Sequence, residues 1–274
     1  MTTTAREPIV STGMRETTPS VHLIARPSID IEAMRAYLVR VGGASWLQRR
    51  EHESEDPNQA QLLVEFCGRT CYRSWQPGLN RNVTRIREDQ HEYLRNLLSS
   101  LHGSVFEHAN YTFAFHQVSR VFTHELVRHR AGSAFSQESL RYVRLTDIGL
   151  RLPAALDPVR DQVVSLVEKL EEFQASAAEA LGIDEEGIPF SVKKEVTSAL
   201  RRLAPIGLST DIVWTANVRT LRHVIEMRTS AAAEEELRLV FNQVAEIMCT
   251  EAPSLFQDFS RSDDGAWVPE FPKV

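Results

Sequence analysis

The chain has little cysteine, little lysine and little glycine, and it has no long apolar run. Its 274 residues include three cysteines, four lysines and 12 glycines. A small, odd number of cysteines does not form the disulfide framework of a small secreted domain. No stretch approaches the roughly 20 apolar residues of a membrane span, and the first residues lack a signal-peptide core. We therefore expect a cytoplasmic protein with reduced thiols.

The shortage of glycine and of net positive charge excludes further kinds of site. The formal net charge is -6, whereas a general nucleic-acid binder usually has a basic face. The sequence contains neither Gly-x-Gly-x-x-Gly nor a Walker loop, so we expect no Rossmann or P-loop nucleotide site. Cys67 and Cys71 would share a helix face, but two further metal ligands are not evident nearby. The sequence therefore predicts no metal, no nucleic acid and no membrane among its partners.

The organisation of the chain favours one α+β domain, with a mixed sheet and surrounding helices. Residues 1–20 are rich in Thr, Ser and Pro and are predicted to be a flexible N-terminal arm. Residues 21–259 form the predicted single domain. Residues 260–274 contain Asp, Gly and Pro and are predicted to be a loose C-terminal tail.

Hydrophobic periodicity predicts the elements of that domain. The predicted helices cover residues 31–41, 59–72, 86–101, 119–127, 158–182, 192–203 and 220–248, the last with a break near Thr229. The predicted strands cover residues 21–25, 111–116 and 212–215. The polar residues 44–57 are predicted to be an exposed loop.

Arginine and small polar residues are concentrated in residues 128–141. An arginine guanidinium matches phosphate oxygens two at a time, and serine and glutamine add short, orientable hydrogen bonds. Apolar residues interrupt the segment, which indicates a partly buried anion pocket rather than a solvated charge run. The polar residues are Arg128, His129, Arg130, Ser133, Ser136, Gln137, Ser139 and Arg141.

Two other interpretations of this segment are weaker. His124 and His129 are five residues apart, so on a helix their rings diverge by about 140° and do not suit one zinc ion. Ser139 with His129 as its base would be a nucleophile, but no Gly-x-Ser-x-Gly elbow surrounds it. A serine among arginines is more often an anion ligand than a nucleophile.

A second polar group follows at Asn217, Arg219 and His223. On a helix, Arg219 and His223 share a face, whereas Arg228 points about 180° away from Arg219 and addresses a different partner. The same pattern is also typical of a solvent-exposed basic stripe. Arg201 and the arginine after it equally suit a helix C-terminus, where cations are favoured.

Taken together, these motifs resemble those of the flavin-dependent thymidylate synthases, the ThyX family. Arg128-His129-Arg130, a spacer and Ser139-x-Arg141-Tyr142 resemble the signature of that family. The other matching pieces occur in the family's order over about residues 65–240: Phe106-Glu107-His108, Arg201 with Pro205, Asn217-Val218-Arg219, His223 and Arg228.

The resemblance implies a fold and a reaction. The fold is the ThyX-type α+β subunit, assembled as a homotetramer whose active sites are shared between subunits, with residues 21–259 as the catalytic domain. The reaction is reductive methylation of dUMP to dTMP. In this reaction 5,10-methylenetetrahydrofolate supplies the carbon, NADPH reduces FAD, and the reduced flavin delivers hydride. No protein nucleophile is required.

The resemblance also implies roles for individual residues. The FAD-binding residues would be Asn110, Arg128, His129, Arg130, Gln137, Asn217, Arg219 and His223. The dUMP-binding residues would be Glu125, Arg128, Gln137, Glu138, Ser139, Leu140, Arg141, Arg201 and Arg228. His108 would lie near the flavin and folate entrance. Arg228 would be the catalytic residue, because it would bind the uracil and favour ionisation at N3.

The chain departs from the family pattern at three places. The spacer of residues 131–138 is one residue longer than in the signature, which leaves open whether Ser136, Gln137 or Glu138 reaches which ligand. Glu125 replaces a glutamine, so its contact could be through its backbone or to uracil. Ala232 replaces a histidine that some members place near the flavin.

Two other functions fit part of the pattern. A regulatory nucleotide-binding module would keep Arg128, Arg141 and Arg201 but would not need Arg228 or Asn217. An acidic scaffold with an arginine-rich partner surface would bind no small ligand tightly. All of these residues are present, which favours the enzyme.

Overall fold

The computed structural model describes residues 14–274 and confirms the α+β class. The helices are α1 (Ile31–Val41), α2 (Ala44–Glu53), α3 (Gln59–Tyr72), α4 (Gln90–Ser99), α5 (Arg120–Leu126), α6 (Arg160–Ala180), α7 (Phe190–Leu200), α8 (Val218–Thr229) and α9 (Glu235–Glu251). The strands are β1 (Arg15–Glu16), β2 (Ser20–Ala25), β3 (Asn110–Ser119), β4 (Ser133–Gln137), β5 (Gly149–Leu150), β6 (Ser209–Asn217), β7 (Phe259–Arg261) and β8 (Trp267–Pro269). No helix in this part of the chain is long and apolar enough to cross a membrane.

The described chain divides into two compact units, and the division falls inside β2, β3, β4 and β6. The first unit contains residues 14–20, 115–126 and 136–212 of the described chain. The second unit contains residues 21–114, 127–135 and 213–274.

Three sheets organise these strands. The largest has the strand order β2-β3-β6-β4. In the first unit, β1 pairs with β5 in parallel, so that Arg15 lies opposite Gly149. In the second unit, β7 and β8 form an antiparallel hairpin with Phe259 opposite Pro269.

The helices of the second unit begin and end where local sequence signals predict. Asp30 caps α1 by accepting a hydrogen bond from the Ala33 amide at 2.9 Å, and Gly42, with φ of 78°, ends that helix in the left-handed region. Asn58 caps α3 in the same way through the Gln61 amide, at 3.0 Å. These caps explain why the bounds of α1 and α3 agree with the sequence prediction.

The predicted loop at residues 44–57 is wrong, because residues 44–53 form α2. Trp46 and Leu47 are buried in a cluster with Leu38 and Leu62, and the Trp46 ring lies 5.2 Å from that of Trp75. Most of the remaining positions of this helix are polar, so its apolar face is only two residues wide. That short face conceals the helical period in the sequence.

A buried ionic network ties α2 to α3. The Glu65 carboxylate is fully buried and accepts hydrogen bonds from Arg50 Nε at 2.9 Å, Arg69 Nε at 2.7 Å and Trp46 Nε1 at 2.7 Å. Burial opposes ionisation of Glu65, but the hydrogen bond from Arg50 and the charges of both arginines outweigh it, so the pKa of this carboxyl lies below its ordinary value. The network is therefore ionised in the folded protein.

In the first unit, apolar residues of the segment around β5 form most of the core, together with Val167 of α6 and Leu208 before β6. The buried cluster contains Leu140, Leu145, Ile148, Leu150, Leu152, Val167 and Leu208. The predicted flexible arm of residues 1–20 is wrong where the structure describes it. Arg15 and Glu16 form β1, and the Thr17 amide donates to the Leu150 carbonyl at 3.1 Å. Residues 1–13 of that prediction lie outside the described residues.

The predicted loose tail at residues 260–274 is also wrong. The tail contributes β8 and part of β7, and Val274 is only 9% exposed. Arg222 on α8 donates to both carboxylate oxygens of Asp258, at 2.7 and 2.8 Å, and both side chains are buried. Strands of three residues around an Asp-Gly turn are too short to show a recognisable alternation of apolar and polar residues in the sequence.

We predict that Glu65→Gln lowers the free energy of unfolding by about 3–5 kcal/mol, because it leaves the buried Arg69 guanidinium without a carboxylate and leaves Arg50 only the half-exposed Glu53. Urea denaturation at pH 7 measures this loss. Glu92→Gln is the matched control, because it removes an exposed carboxylate that pairs with Arg85, and it should change little. An equally small loss in both variants would show that the buried network contributes nothing.

Candidate functional site

The arginine segment is held against the start of α8 by backbone hydrogen bonds. The Asn217 amide donates to the Gly132 carbonyl at 3.1 Å. The Asn217 side chain caps α8 by accepting from the Thr220 amide at 2.8 Å, and Thr220 Oγ1 donates to the Ala131 carbonyl at 2.8 Å. The residues that follow Arg130 are thereby fixed at a helix N-terminus.

This junction forms one wall of a cleft of about 770 Å³ in the second unit. Six of the residues predicted to bind flavin line it together. They are Arg128, His129, Arg130, Asn217, Arg219 and His223. The opposite lining comes from the C-terminal tail, including Phe271 and Val274.

The cleft suits an anion. Arg128 and Arg130 have no carboxylate partner among residues 14–274, and the N-terminus of α8 adds a partial positive charge. Arg219 is different, because its Nη1 donates to Glu107 at 2.6 Å and its Nε donates to the Val274 carbonyl at 3.3 Å. Glu107 and the tail therefore hold Arg219 at the edge of the cleft.

His129 and Arg228 are in direct contact. Arg228 Nε donates to His129 Nε2 at 2.8 Å, and the His223 ring lies edge-on to His129 at 6.3 Å. Burial, followed by the charges of Arg228, His223 and Arg128, lowers the pKa of His129 to about 4. The imidazole is therefore neutral at pH 7.

Asn110 does not line the cleft, although the resemblance implies a flavin contact for it. It is exposed at the start of β3, and its Nδ2 donates to the His108 carbonyl at 3.2 Å. The neighbouring Ala109 carbonyl accepts from the Val218 amide at 2.9 Å. This bond places the start of β3 beside the first residue of α8.

Most residues predicted to bind dUMP lie in the first unit. Gln137 Nε2 donates to Thr123 Oγ1 at 3.1 Å, and Glu138 accepts from Thr210 Oγ1 at 3.4 Å. Leu140 is buried in the core of this unit, so only its backbone is suited to a polar ligand. Glu125 is half-buried at the end of α5.

Arg141 lines a separate cavity of about 420 Å³ in the first unit, along one face of α7. The cavity also contains Lys194 and Arg202, and none of these three cations has a carboxylate partner among the described residues. Lys194 lies 5.3 Å above the Tyr142 ring, and its hydrogen bond lowers the pKa of the Tyr142 hydroxyl. Glu195 also lines the cavity, but the three cations leave a net positive charge that favours an anion.

Arg201 lies near a further cation, Arg120, in the same unit. Burial and the positive charge of Arg201 lower the pKa of the Arg120 guanidinium, whereas Glu138 raises it. The Arg120 Nη1 atom is buried without a hydrogen-bond partner in the described structure. The positive charges of Arg120 and Arg201, together with the unsatisfied Arg120 Nη1 donor, make the binding of an anion favourable at this position.

Sequence reasoning missed Lys194, Arg202 and Arg120 as site residues. A signal for the first two exists, because Ser191, Lys194 and Ser198 recur at three- or four-residue intervals and share a face of α7, and Arg202 continues the interval in the turn that follows the helix. Arg120 carries no such signal, because its neighbours in space come from distant segments. The contribution of the tail to the cleft also has no signal in the sequence.

Known proteins match this chain over the segments that contain these site residues. The family model described as thymidylate synthase complementing protein matches residues 54–254. A flavin-dependent thymidylate synthase of Mycobacteroides abscessus is 37% identical over 231 residues, which is 81% of this chain and 89% of that protein. Proteins of the same name from Mycolicibacterium gilvum (33% identical, 75% and 82% covered) and Mycobacterium tuberculosis (34%, 74% and 81%) also match. This chain belongs to the flavin-dependent thymidylate synthase family. It is accordingly an enzyme, and the α+β structure agrees with the family.

We predict that Gly132→Ala destabilises the junction more than Gly78→Ala does. Both glycines have positive φ, 65° and 88°. Both variants therefore lose folding free energy, because each places an alanine side chain in the left-handed backbone region. Only at Gly132 would the new Cβ collide with Asn217 Nδ2 and lie 2.5 Å from Thr220 Oγ1, whereas nothing lies within 4 Å at Gly78. The expected extra loss is about 1–3 kcal/mol. Chemical denaturation of both variants measures it, and equal losses would contradict the close packing described here.

Proposed function

We propose that this enzyme binds FAD and dUMP and reductively methylates dUMP to dTMP, with 5,10-methylenetetrahydrofolate as carbon donor and NADPH as reductant. The observation that carries the proposal is the cleft in which Arg128, His129, Arg130, Asn217, Arg219 and His223 converge. The names of the relatives support the same reaction.

The size and chemistry of the cleft fit FAD. Its volume of about 770 Å³ lies within the usual range of about 300–1,000 Å³ for a site that takes a cofactor or drug-sized ligand. Arg128 and Arg130 are suited to the pyrophosphate, because guanidinium groups pair with phosphate oxygens two at a time. When bound, FAD would supply the redox chemistry, so the protein needs to bind, orient and polarise.

The first unit supplies the side chains suited to dUMP. Arg141, Lys194 and Arg202 share one cavity and would hold the phosphate, and Arg120 and Arg201 add a second pair of cations. Gln137, Glu138 and Ser139 lie in the same unit and bring hydrogen-bonding groups for the base and the sugar. This assignment adds Lys194 and Arg202 to the dUMP-binding residues that the resemblance implies.

Arg228 is the residue proposed to act on the uracil. A guanidinium stays charged at every pH that a protein tolerates, so Arg228 can stabilise negative charge that develops on the ring without itself releasing a proton. None of the three cysteines is needed for this chemistry. Burial raises the pKa of Cys67 and of Cys249 to about 11 in each case, which makes either a poor nucleophile at pH 7.

We also propose that the subunit self-associates as a homotetramer in the cytoplasm. Leu166 and Phe173 on α6 are 68% and 47% exposed, and Phe190 at the start of α7 is 68% exposed. Leu166 and Phe173 are seven residues apart and share a helix face. Exposed apolar faces of this kind are typical of surfaces that another chain covers. The three free cysteines are consistent with a reducing compartment.

The test is an anaerobic assay. Purified protein that contains FAD is reduced with NADPH and mixed with dUMP and methylenetetrahydrofolate, and dTMP is measured by chromatography. We expect dTMP from the unmodified protein and a loss of roughly 100-fold or more in Arg228→Ala, with flavin content unchanged. Arg85→Ala, an exposed arginine on another surface, is the control and should retain activity. A yellow protein that forms no dTMP would instead be a binding module, and a protein without flavin affinity would contradict the proposal entirely.

A second prediction concerns the phosphate. Arg141→Ala and Lys194→Ala should each weaken dUMP binding by about 10- to 150-fold, because each removes a charge-assisted contact of about 1.5–3 kcal/mol. Both should change the affinity for deoxyuridine, which lacks the phosphate, much less. Isothermal calorimetry with both ligands measures this difference, and Lys169→Ala on α6 is the control. Equal losses for dUMP and deoxyuridine would show that these side chains do not meet the phosphate.

A further inference from the structure

One wall of the cleft comes from the C-terminal tail. Residues 269–274, the tail wall, lie in the same compact unit as the arginine segment and α8. They follow residue 254, where the match to the family model ends, and neither the motifs nor the resemblance gives them a role. The tail-wall residues that line the cleft are Pro269, Phe271, Pro272, Lys273 and Val274.

Hydrogen bonds to Asp258 and Arg222 hold the first half of the tail wall. The Glu270 amide donates to the Asp258 carbonyl at 2.9 Å, and the Phe271 amide donates to the Asp258 carboxylate at 3.2 Å. Arg222, which is paired with Asp258, donates through Nη2 to the Phe271 carbonyl at 3.4 Å. Because Arg222 belongs to α8, this half of the wall is fixed to the helix that also carries Arg219.

The far end of the tail wall is packed against Arg219 and Gly103. Arg219 Nε donates to the Val274 carbonyl at 3.3 Å. A Cβ on Gly103 would lie 2.6 Å from the Val274 carbonyl carbon and 2.8 Å from Arg219 Nε, so this close approach requires a residue without a side chain. Lys273 lies between the two fixed ends, and the proline before it restricts the backbone further. The Cα position of Lys273 is thereby set before any ligand arrives.

Lys273 adds a positive charge to the lining of the cleft. Its side chain is exposed, and it makes no hydrogen bond or ion pair with any residue of the described chain. Among the described residues, the lining contains two carboxylates, those of Glu107 and Glu226, and Glu107 is paired with an arginine. The other carboxylate is outnumbered by Lys273, Arg128 and Arg130. The lining therefore has a net positive charge, and part of that charge comes from the tail wall.

We propose that Lys273 is a phosphate-binding residue of the cofactor site: its ammonium pairs with phosphate oxygens of FAD from the tail wall, on the side of the cleft opposite Arg128 and Arg130. A guanidinium donates in the plane of its rigid fork, whereas an ammonium is a compact charge with three rotatable donors. Lysine therefore suits phosphate oxygens that the two arginines leave uncovered. The fixed backbone lowers the cost of binding, since only the side chain has to be ordered. This inference rests on the proposed function, because it takes FAD as the ligand.

The test compares two flavins that differ in their phosphates. The full chain, freed of flavin, is titrated with FAD and with riboflavin, and flavin fluorescence gives the dissociation constants. Lys273→Gln should weaken FAD binding by about tenfold, the lower end of the range for a charge-assisted contact, and should leave riboflavin binding nearly unchanged. The loss should shrink at high salt, which screens an exposed ion pair. Lys273→Arg keeps the charge and should retain most of the affinity for FAD.

The matched control is Lys169→Gln, at an exposed lysine of α6 in the first unit, which should change neither affinity. With FAD in excess, Lys273→Gln should form dTMP at the rate of the unmodified protein, because the residue acts on cofactor affinity. Equal losses for FAD and riboflavin would show that Lys273 supports the shape of the cleft and does not meet phosphate, which overturns the inference.

The remaining outcomes separate this inference from the proposed function. Unchanged FAD affinity with slower oxidation of NADPH would assign the ammonium to a phosphate of the reductant and would overturn the inference. If the unmodified protein binds FAD and Lys273→Gln binds it as tightly, only the inference fails. If the unmodified protein binds no FAD, the proposed function fails together with it.

Discussion

The site depends on the way Asn217 joins β6 to α8. One residue donates its amide to Gly132 at 3.1 Å and caps the helix with its side chain at 2.8 Å. A second bond from Thr220 to Ala131 closes the junction. Because Gly132 has no Cβ, the two chain segments approach closely enough for these bonds to form. Without the junction, the arginine segment would have no fixed relation to α8, and neither the cleft nor the contact between His129 and Arg228 would form.

Sequence reasoning found the features that are encoded locally. Asp30 marks the start of α1, which it caps through the Ala33 amide, and the alternation of Tyr111, Phe113 and Phe115 marks β3. The helix at residues 44–53 was not found, because its buried face consists mainly of Trp46 and Leu47. Local patterns fail where a short element is stabilised by partners that are distant in sequence.

The motif resemblance located the residues of the cleft but not all of their partners. It grouped Arg128, Asn217 and Arg219, which the structure brings together. It gave no role to Glu107 or to Val274, although both bind Arg219. Those contacts join segments more than 50 residues apart in the sequence, and a motif in one segment contains no information about which distant side chain completes it.

The scarcity of lysine gives the cleft an unusual electrostatic property. Apart from Lys273, the lysine and arginine side chains that line it are all arginines, including Arg128, Arg130 and Arg219, and a guanidinium group does not lose its proton in proteins. The attraction that they exert on an anion is therefore the same in mildly acidic and mildly alkaline solution. The pyrophosphate of FAD is esterified on both sides and has no proton to lose near neutral pH, so neither partner in this ion pairing titrates there, and capture of the cofactor by these side chains is independent of pH over that range.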